Sequence, residues 1–149
     1  MKPEELTKQV FLSHTQNEGD LAAQIAEVLT EKGIKVWDDQ QVSPGADWTK
    51  EIAEALKKSD AMIALLSPNS FSSSWVRSEL EYALTDERYK RRLLPVLIGE
   101  PREEEFARLP WILTRMQFLR LTSNEPTKRR AVRIAEALIE LLKSARDAK

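Results

Sequence analysis

The chain has no cysteine, one histidine (His14) and only four glycines among its 149 residues. Each scarcity removes a class of chemistry. Without cysteine there is no disulfide, no zinc–thiolate centre and no thiol nucleophile. One histidine cannot build a His-rich metal site, although carboxylates alone can hold magnesium. The few glycines form neither a P-loop nor a Gly-x-Gly-x-x-Gly fingerprint, which argues against a kinase, an ATPase or an ordinary Rossmann dehydrogenase. No Gly-x-Ser-x-Gly elbow supports a hydrolase triad. A net charge of -1 gives no general pull toward nucleic acid or an anionic membrane. The opening "MKPEELTKQV" lacks the apolar stretch of a signal peptide, and no run is long and apolar enough to span a bilayer. The expectation is one soluble, cytoplasmic domain over residues 1–149, with its core at about 9–143.

What is present is an ordinary globular balance, 42% hydrophobic and 32% charged, arranged as an alternation of two kinds of segment. "QVFLSH" (residues 9–14) reads as a strand. A helix follows, with Asn17 as its N-cap, Leu21, Ile25, Val28 and Leu29 at helical spacing, and Gly33 placed to end it. "IKVWDD" (34–39) is a second strand, and Pro44-Gly45 marks the loop beyond it. A helix over about 49–58 leads to "AMIALLS" (61–67), apolar enough for a central strand covered on both faces. After the turn "PNSFSSS" and another helix, "RLLPVLIGE" is a fourth strand, with Pro95 tolerable only at an edge or a bulge. "QFLRL" (117–121) is a fifth, and a helix from about Thr127 closes the chain. The intervening "PREEEFARLPWILTRM" is a short helix or an irregular loop. The runs "KRR", "EEE" and "KRR" read as solvated surface, and the basic ones lack the aromatic interleaving that suits single-stranded nucleic acid.

Strict βαβα alternation argues for a parallel sheet with helices on both faces. For five strands the common solution is a flavodoxin-like three-layer sandwich in the order 2-1-3-4-5, its crevice at the carboxyl ends of strands one and three. "SHTQN", "DDQQVSPGADW" and "SPNSFSSSW" should meet there. In "SSWVRSELEYAL" (73–84), a helix at about 100° per residue puts Trp75, Val76, Leu80, Ala83 and Leu84 on one apolar arc, with Glu79 inside it. Pattern alone favours Glu79 as a border residue reaching out to solvent. The alternative is a carboxylate beside an aromatic in a partly dry cleft, suited to a developing cation. Trp48 either stacks on a planar ring or staples the start of its helix, and pattern leans to the staple. Asp38 and Asp39 sit where acidic side chains hold ribose hydroxyls in dinucleotide-binding folds, or they cap the turn. Ser13 and His14 end strand one, with His14 better suited to hydrogen bonding than to acting as a base.

Taken in order, "VFLSHTQNEGDLAAQIAEVLTEKGIKVWDD", "PGADW" and "LLSPNSFSSSWVRSEL" closely resemble the TIR (Toll/interleukin-1 receptor) domain, particularly its bacterial members, over about residues 10–96. The resemblance implies a flavodoxin-like fold and one of two functions. Enzymatic TIR domains cleave the nicotinamide–ribose bond of NAD+ to nicotinamide and ADP-ribose or a cyclic isomer. Signalling TIR domains are scaffolds that act through homotypic contacts. The enzymes carry a glutamate in a Trp-x-x-x-Glu pattern, here "WVRSE", which assigns catalysis to Glu79 with Trp75 before it. It further implies that Ser13, His14, Asp39 (Asp38 its rival), Trp48 and Trp75 bind substrate. Val76 occupies the usual position of a cysteine in some members, and Ser78 is assigned no role. The resemblance thus implies NAD+ as substrate, no metal and no cofactor, activation by self-association, and a sensor domain or protein outside this chain. The runner-up is the non-catalytic scaffold. A weaker third reading is a flavodoxin-like nucleotide-binding module without turnover.

Overall fold

In the computed structural model, which describes residues 2–38, 45, 47–68, 70, 73–122 and 124–147, the apolar runs pair in parallel. The side chains of Trp75 and Thr114 lie outside that description. Strands β1 (Val10–Ser13), β2 (Val36–Trp37), β3 (Ala61–Leu66), β4 (Leu93–Ile98) and β5 (Leu119–Leu121) form one sheet in the order β2-β1-β3-β4-β5. Parallel neighbours need crossovers. These are supplied by α1 (Gly19–Glu31), α2 (Trp48–Lys58), α3 (Ser74–Thr85) and the single turn α4 (Glu103–Phe106), and α5 (Thr127–Asp147) follows the last strand. β1 is bracketed by β2, through Val10↔Val36, and by β3, through Val10↔Ala61. The strand order reverses at β1, so the ligand crevice expected of this flavodoxin-like α/β topology opens at the carboxyl ends of β1 and β3.

Strand alternation sorts the core into two halves. Val10, Leu12, Ala61, Ile63 and Leu65 pack with α1 and α5. Phe11, Met62, Ala64 and Leu66 face the other way, against α2 and α3. All six residues of β3 are buried, as its continuous apolar run anticipates. On the second face the Phe11 and Trp37 rings stack with centroids 5.0 Å apart. Ser13 follows Phe11 by two residues and therefore shares the face of α3.

Several local expectations are corrected. β2 and β5 are shorter than their apolar runs, pairing over two and three residues as the outer strands of the sheet. Asn17 does not cap α1. A 3-10 turn over Gln16–Glu18 precedes that helix, and Thr15 is its cap. Pro95 is not on an edge strand: it pairs opposite Ala64 inside the sheet. The Gly99 N–H donates to Leu121 on β5, so by alternation the donor that Pro95 lacks is on the β5 side too. The β4–β5 pairing starts only at Val96↔Leu119, one residue beyond Pro95. The missing donor falls where no ladder bond is asked of it. The segment 101–116 does hold a short helix, α4, and adds a 3-10 turn, Leu113–Arg115.

Gly33 does end α1. It adopts φ 85°, and Ile34 N–H reaches back to the Leu29 carbonyl at 3.0 Å, closing a Schellman-type turn. An added Cβ would meet Glu4 Oε2 at 2.7 Å, a contact a flexible side chain can yield. The cost of Gly33→Ala is then mainly the left-handed backbone, about 1–2 kcal/mol. Urea unfolding should show a loss of that size with an unchanged m-value.

Candidate active site

Three segments converge at the switch point. Ser13 is the last residue of β1 and is buried in register with Ala64 of β3. α3 begins at a fixed point because the Ser73 hydroxyl accepts the Val76 N–H at 3.3 Å. From that start, helical spacing turns Val76, Leu80 and Ala83 into the core, and Glu79 turns in with them. Glu79 is 6% exposed, and Ser13 Oγ donates to its Oε1 at 2.6 Å across 66 residues of sequence. The border reading of Glu79 is overturned: the carboxylate lies inside the apolar arc. Removing a carboxylate from water costs several kcal/mol unless donors meet it. A hydroxyl at 2.6 Å is a charge-assisted hydrogen bond of the short kind.

Beside it, His14 and Asp38 are both buried. Nδ1 of His14 lies 2.7 Å from the Thr15 carbonyl, and Nε2 lies 3.8 Å from Asp38 Oδ2. A carbonyl oxygen can only accept, so Nδ1 carries a proton and the ring is oriented with Nε2 toward the carboxylate. The sequence reading of His14 as a hydrogen-bonding residue agrees with this geometry. Asp39 lies outside the described residues; its rival Asp38 is the one seen at the histidine. Trp48 opens α2 behind Asp47, whose carboxylate accepts the Lys50 N–H at 3.2 Å. At 45% exposure Trp48 is more open than a residue stapled to the core. Trp75 belongs to the first turn of α3, with its side chain outside the described structure. Ser78 is exposed and donates to the Ser74 carbonyl of its own helix at 2.9 Å.

Sequence reasoning missed a third buried carboxylate. Glu18 is 7% exposed. Its Oε1 accepts the Thr15 N–H at 3.1 Å, and its Oε2 accepts the Thr15 hydroxyl at 2.8 Å and the Ser67 hydroxyl at 2.9 Å. The signal was present: "TQNE" is the Thr-x-x-Glu of a capping box. Its link to Ser67, 49 positions away, was not legible. Among the described residues no group of three or more His, Cys, Asp or Glu is disposed to hold a metal. No described helix is long and apolar enough to cross a membrane.

A carboxylate, a hydroxyl and an imidazole–carboxylate pair thus stand at the carboxyl edge of a 2-1-3-4-5 sheet, which defines a flavodoxin-like α/β domain with a polar, largely buried switch point. The TIR domain profile matches residues 10–135, and the chain belongs to that family. It is 34% identical over 98 residues, 64% of this chain and 30% of the relative, to the NAD(+) hydrolase TcpA of Theionarchaea archaeon (strain DG-70-1). Over 72 residues, 47% of this chain and 26% of the relative, it is 38% identical to the NAD(+) hydrolase TirS of Staphylococcus aureus (strain MSSA476). Against the probable 2' cyclic ADP-D-ribose synthase TcpO of Methanobrevibacter olleyae it is 29% identical over 90 residues, 59% of this chain and 26% of the relative. The matched stretches span less than a third of each relative's length. Among solved structures, the metazoan TIR-STING receptor of C. gigas has a similar fold, with a TM-score of 0.68 at 23% identity, covering 87% of this chain and 38% of that one.

Ser13→Ala leaves the Glu79 carboxylate buried without that donor. The expected loss of stability is about 1–3 kcal/mol. In a chemical-denaturation cycle, the double variant Ser13→Ala/Glu79→Leu should recover part of it, because the charge is then gone as well.

Proposed function

We propose that this chain cleaves the nicotinamide–ribose bond of NAD+, with Glu79 as the catalytic carboxylate, and that self-association activates it in a signalling or defence role. The observation that carries the proposal is the burial of Glu79 at the switch point with Ser13 donating to Oε1. The C1′–N1 bond breaks with both electrons passing to the nicotinamide nitrogen, so nicotinamide leaves neutral and the ribose becomes oxocarbenium-like. A carboxylate fixed in advance stabilises that charge without reorganising as it develops. Water adding at C1′ and losing a proton gives ADP-ribose; attack there by an adenine nitrogen or a ribose hydroxyl of the same molecule, also with loss of a proton, gives a cyclic isomer. Ser13 holds the Glu79 carboxylate in place. His14, Asp38 or Asp39, Trp48 and Trp75 bind and flank the dinucleotide. The reaction calls for no cofactor, since the leaving group is already cationic before departure and neutral after it. The activities named for TcpA, TirS and TcpO support the same reading at the level of the family.

A second reading, a scaffold acting only through contacts between copies, is favoured by one specific observation. Trp111 is 73% exposed and Ile112 beside it 45% exposed, an apolar pair more open than a monomer needs. The same pair supports self-association of the enzyme, so activity separates the two readings.

Chromatography of nicotinamide and ADP-ribose species is the test. Wild-type protein at high concentration should release nicotinamide, and Glu79→Gln, which keeps the shape of the side chain, should be slower by about 100-fold or more. No turnover by the wild type after forced clustering would transfer the case to the scaffold. Activity per molecule should also rise with protein concentration and fall in Trp111→Ser. Strictly proportional activity from nanomolar upward would remove the assembly requirement.

A further inference from the structure

The hydrogen bonds around the switch point form a closed circuit. Glu18 joins Thr15, two residues past Ser13, to Ser67 at the carboxyl end of β3. Ser67 is tied to Ser70 in both directions: its N–H donates to Ser70 Oγ at 2.6 Å, and that hydroxyl donates back to the Ser67 carbonyl at 2.8 Å. The Ser70 carbonyl accepts the Ser73 N–H at 3.1 Å. Ser73 is the N-cap from which α3 starts. α3 carries Glu79, and Glu79 returns to Ser13.

We infer that Glu18 is a positioning residue for Glu79, setting the height and rotation of α3 through the Glu18–Ser67 bond. The inference rests on the reading of Glu79 as the reacting carboxylate. A helix entering from a loop is free to slide and turn unless its start is pinned to the sheet. Here the pins are the serines Ser67, Ser70 and Ser73, and Glu18 anchors the first of them to the loop leaving β1. Ser67 lies two residues past Leu65 and so on the α1 side of the sheet, opposite Glu79. Glu18 acts on Glu79 through this chain, from the far face, without touching it.

A purely local capping role would affect stability alone, whereas positioning affects the chemical step. Four variants separate the two in NAD+ cleavage assays: Ser67→Ala, Glu18→Ala, Glu18→Gln and the double variant Ser67→Ala/Glu18→Ala. Ser67→Ala leaves the Glu18–Thr15 box intact and removes only the clasp. It and Glu18→Ala should each lower kcat by about ten-fold with KM changed less than about two-fold, since small misplacements of a reacting group are costly. The double variant should be no slower than Glu18→Ala, because both changes break one link. Glu18→Gln should stay within about three-fold of wild type: its carbonyl keeps the Thr15 N–H, and its amide meets the two hydroxyls with their roles reversed. The inference is overturned by kcat values that stay at wild type while the melting temperature falls, by losses that multiply in the double variant, or by Glu18→Gln as slow as Glu18→Ala. Amide hydrogen exchange reads the circuit without substrate. Ser67→Ala should speed exchange several-fold through residues 76–80 of α3; faster exchange confined to residues 15–18 and 67–70 would overturn it. A wild type that releases no nicotinamide defeats the NAD+ reading instead, and the exchange result then decides the circuit alone.

Discussion

A carboxylate can leave water only where a donor already stands, and in this domain a donor to Glu79 comes from a strand. Everything that fixes Ser13 therefore fixes the site. The pairing of β1 with β3 sets the height of the hydroxyl, and the parity of the strand sets its face. A slip of one residue would turn Ser13 toward α1 and α5 and take its hydroxyl away from Glu79. The register Phe11↔Met62 and Ser13↔Ala64, held by the apolar residues of both core halves, is in that sense the foundation of the candidate site.

The same logic shapes the polar shell around it. Hydroxyls rather than long basic side chains carry most of the described bonds at the carboxyl edge: Ser13, Thr15, Ser67, Ser70 and Ser73. A serine hydroxyl both donates and accepts and has little rotamer freedom to lose, so it can be ordered at small entropic cost. The serines that looked like turn filler in "SPNSFSSSW" include the fastenings of a helix.

Much of the architecture was legible from periodicity, because a buried parallel sheet writes itself as short apolar runs separated by helical spacing. The strand order followed from the count of strands and the alternation. Local features were legible where one residue type has one physical use: Gly33 at a left-handed turn is the clear example. The misreadings share a cause. Asn17 looked like a cap because its type is right, but Thr15 with Glu18 three residues on makes the reciprocal pair. Pro95 looked excluded from an interior strand because the sequence does not reveal where the neighbouring strand begins. Glu79 sat in an apolar arc that pattern alone could only call a border; its significance came from the ordered resemblance, and its burial from a hydroxyl 66 positions away. Contacts of that separation leave no periodic trace.

Pro95 has one more effect. Below Val96 the β5-facing side of β4 pairs with no strand among the described residues and has, at the proline, no hydrogen to offer. A foreign strand trying to continue β5 downward along this side of β4 would find the ladder interrupted at its first rung. That short stretch of β4 is therefore a poor template for an added strand.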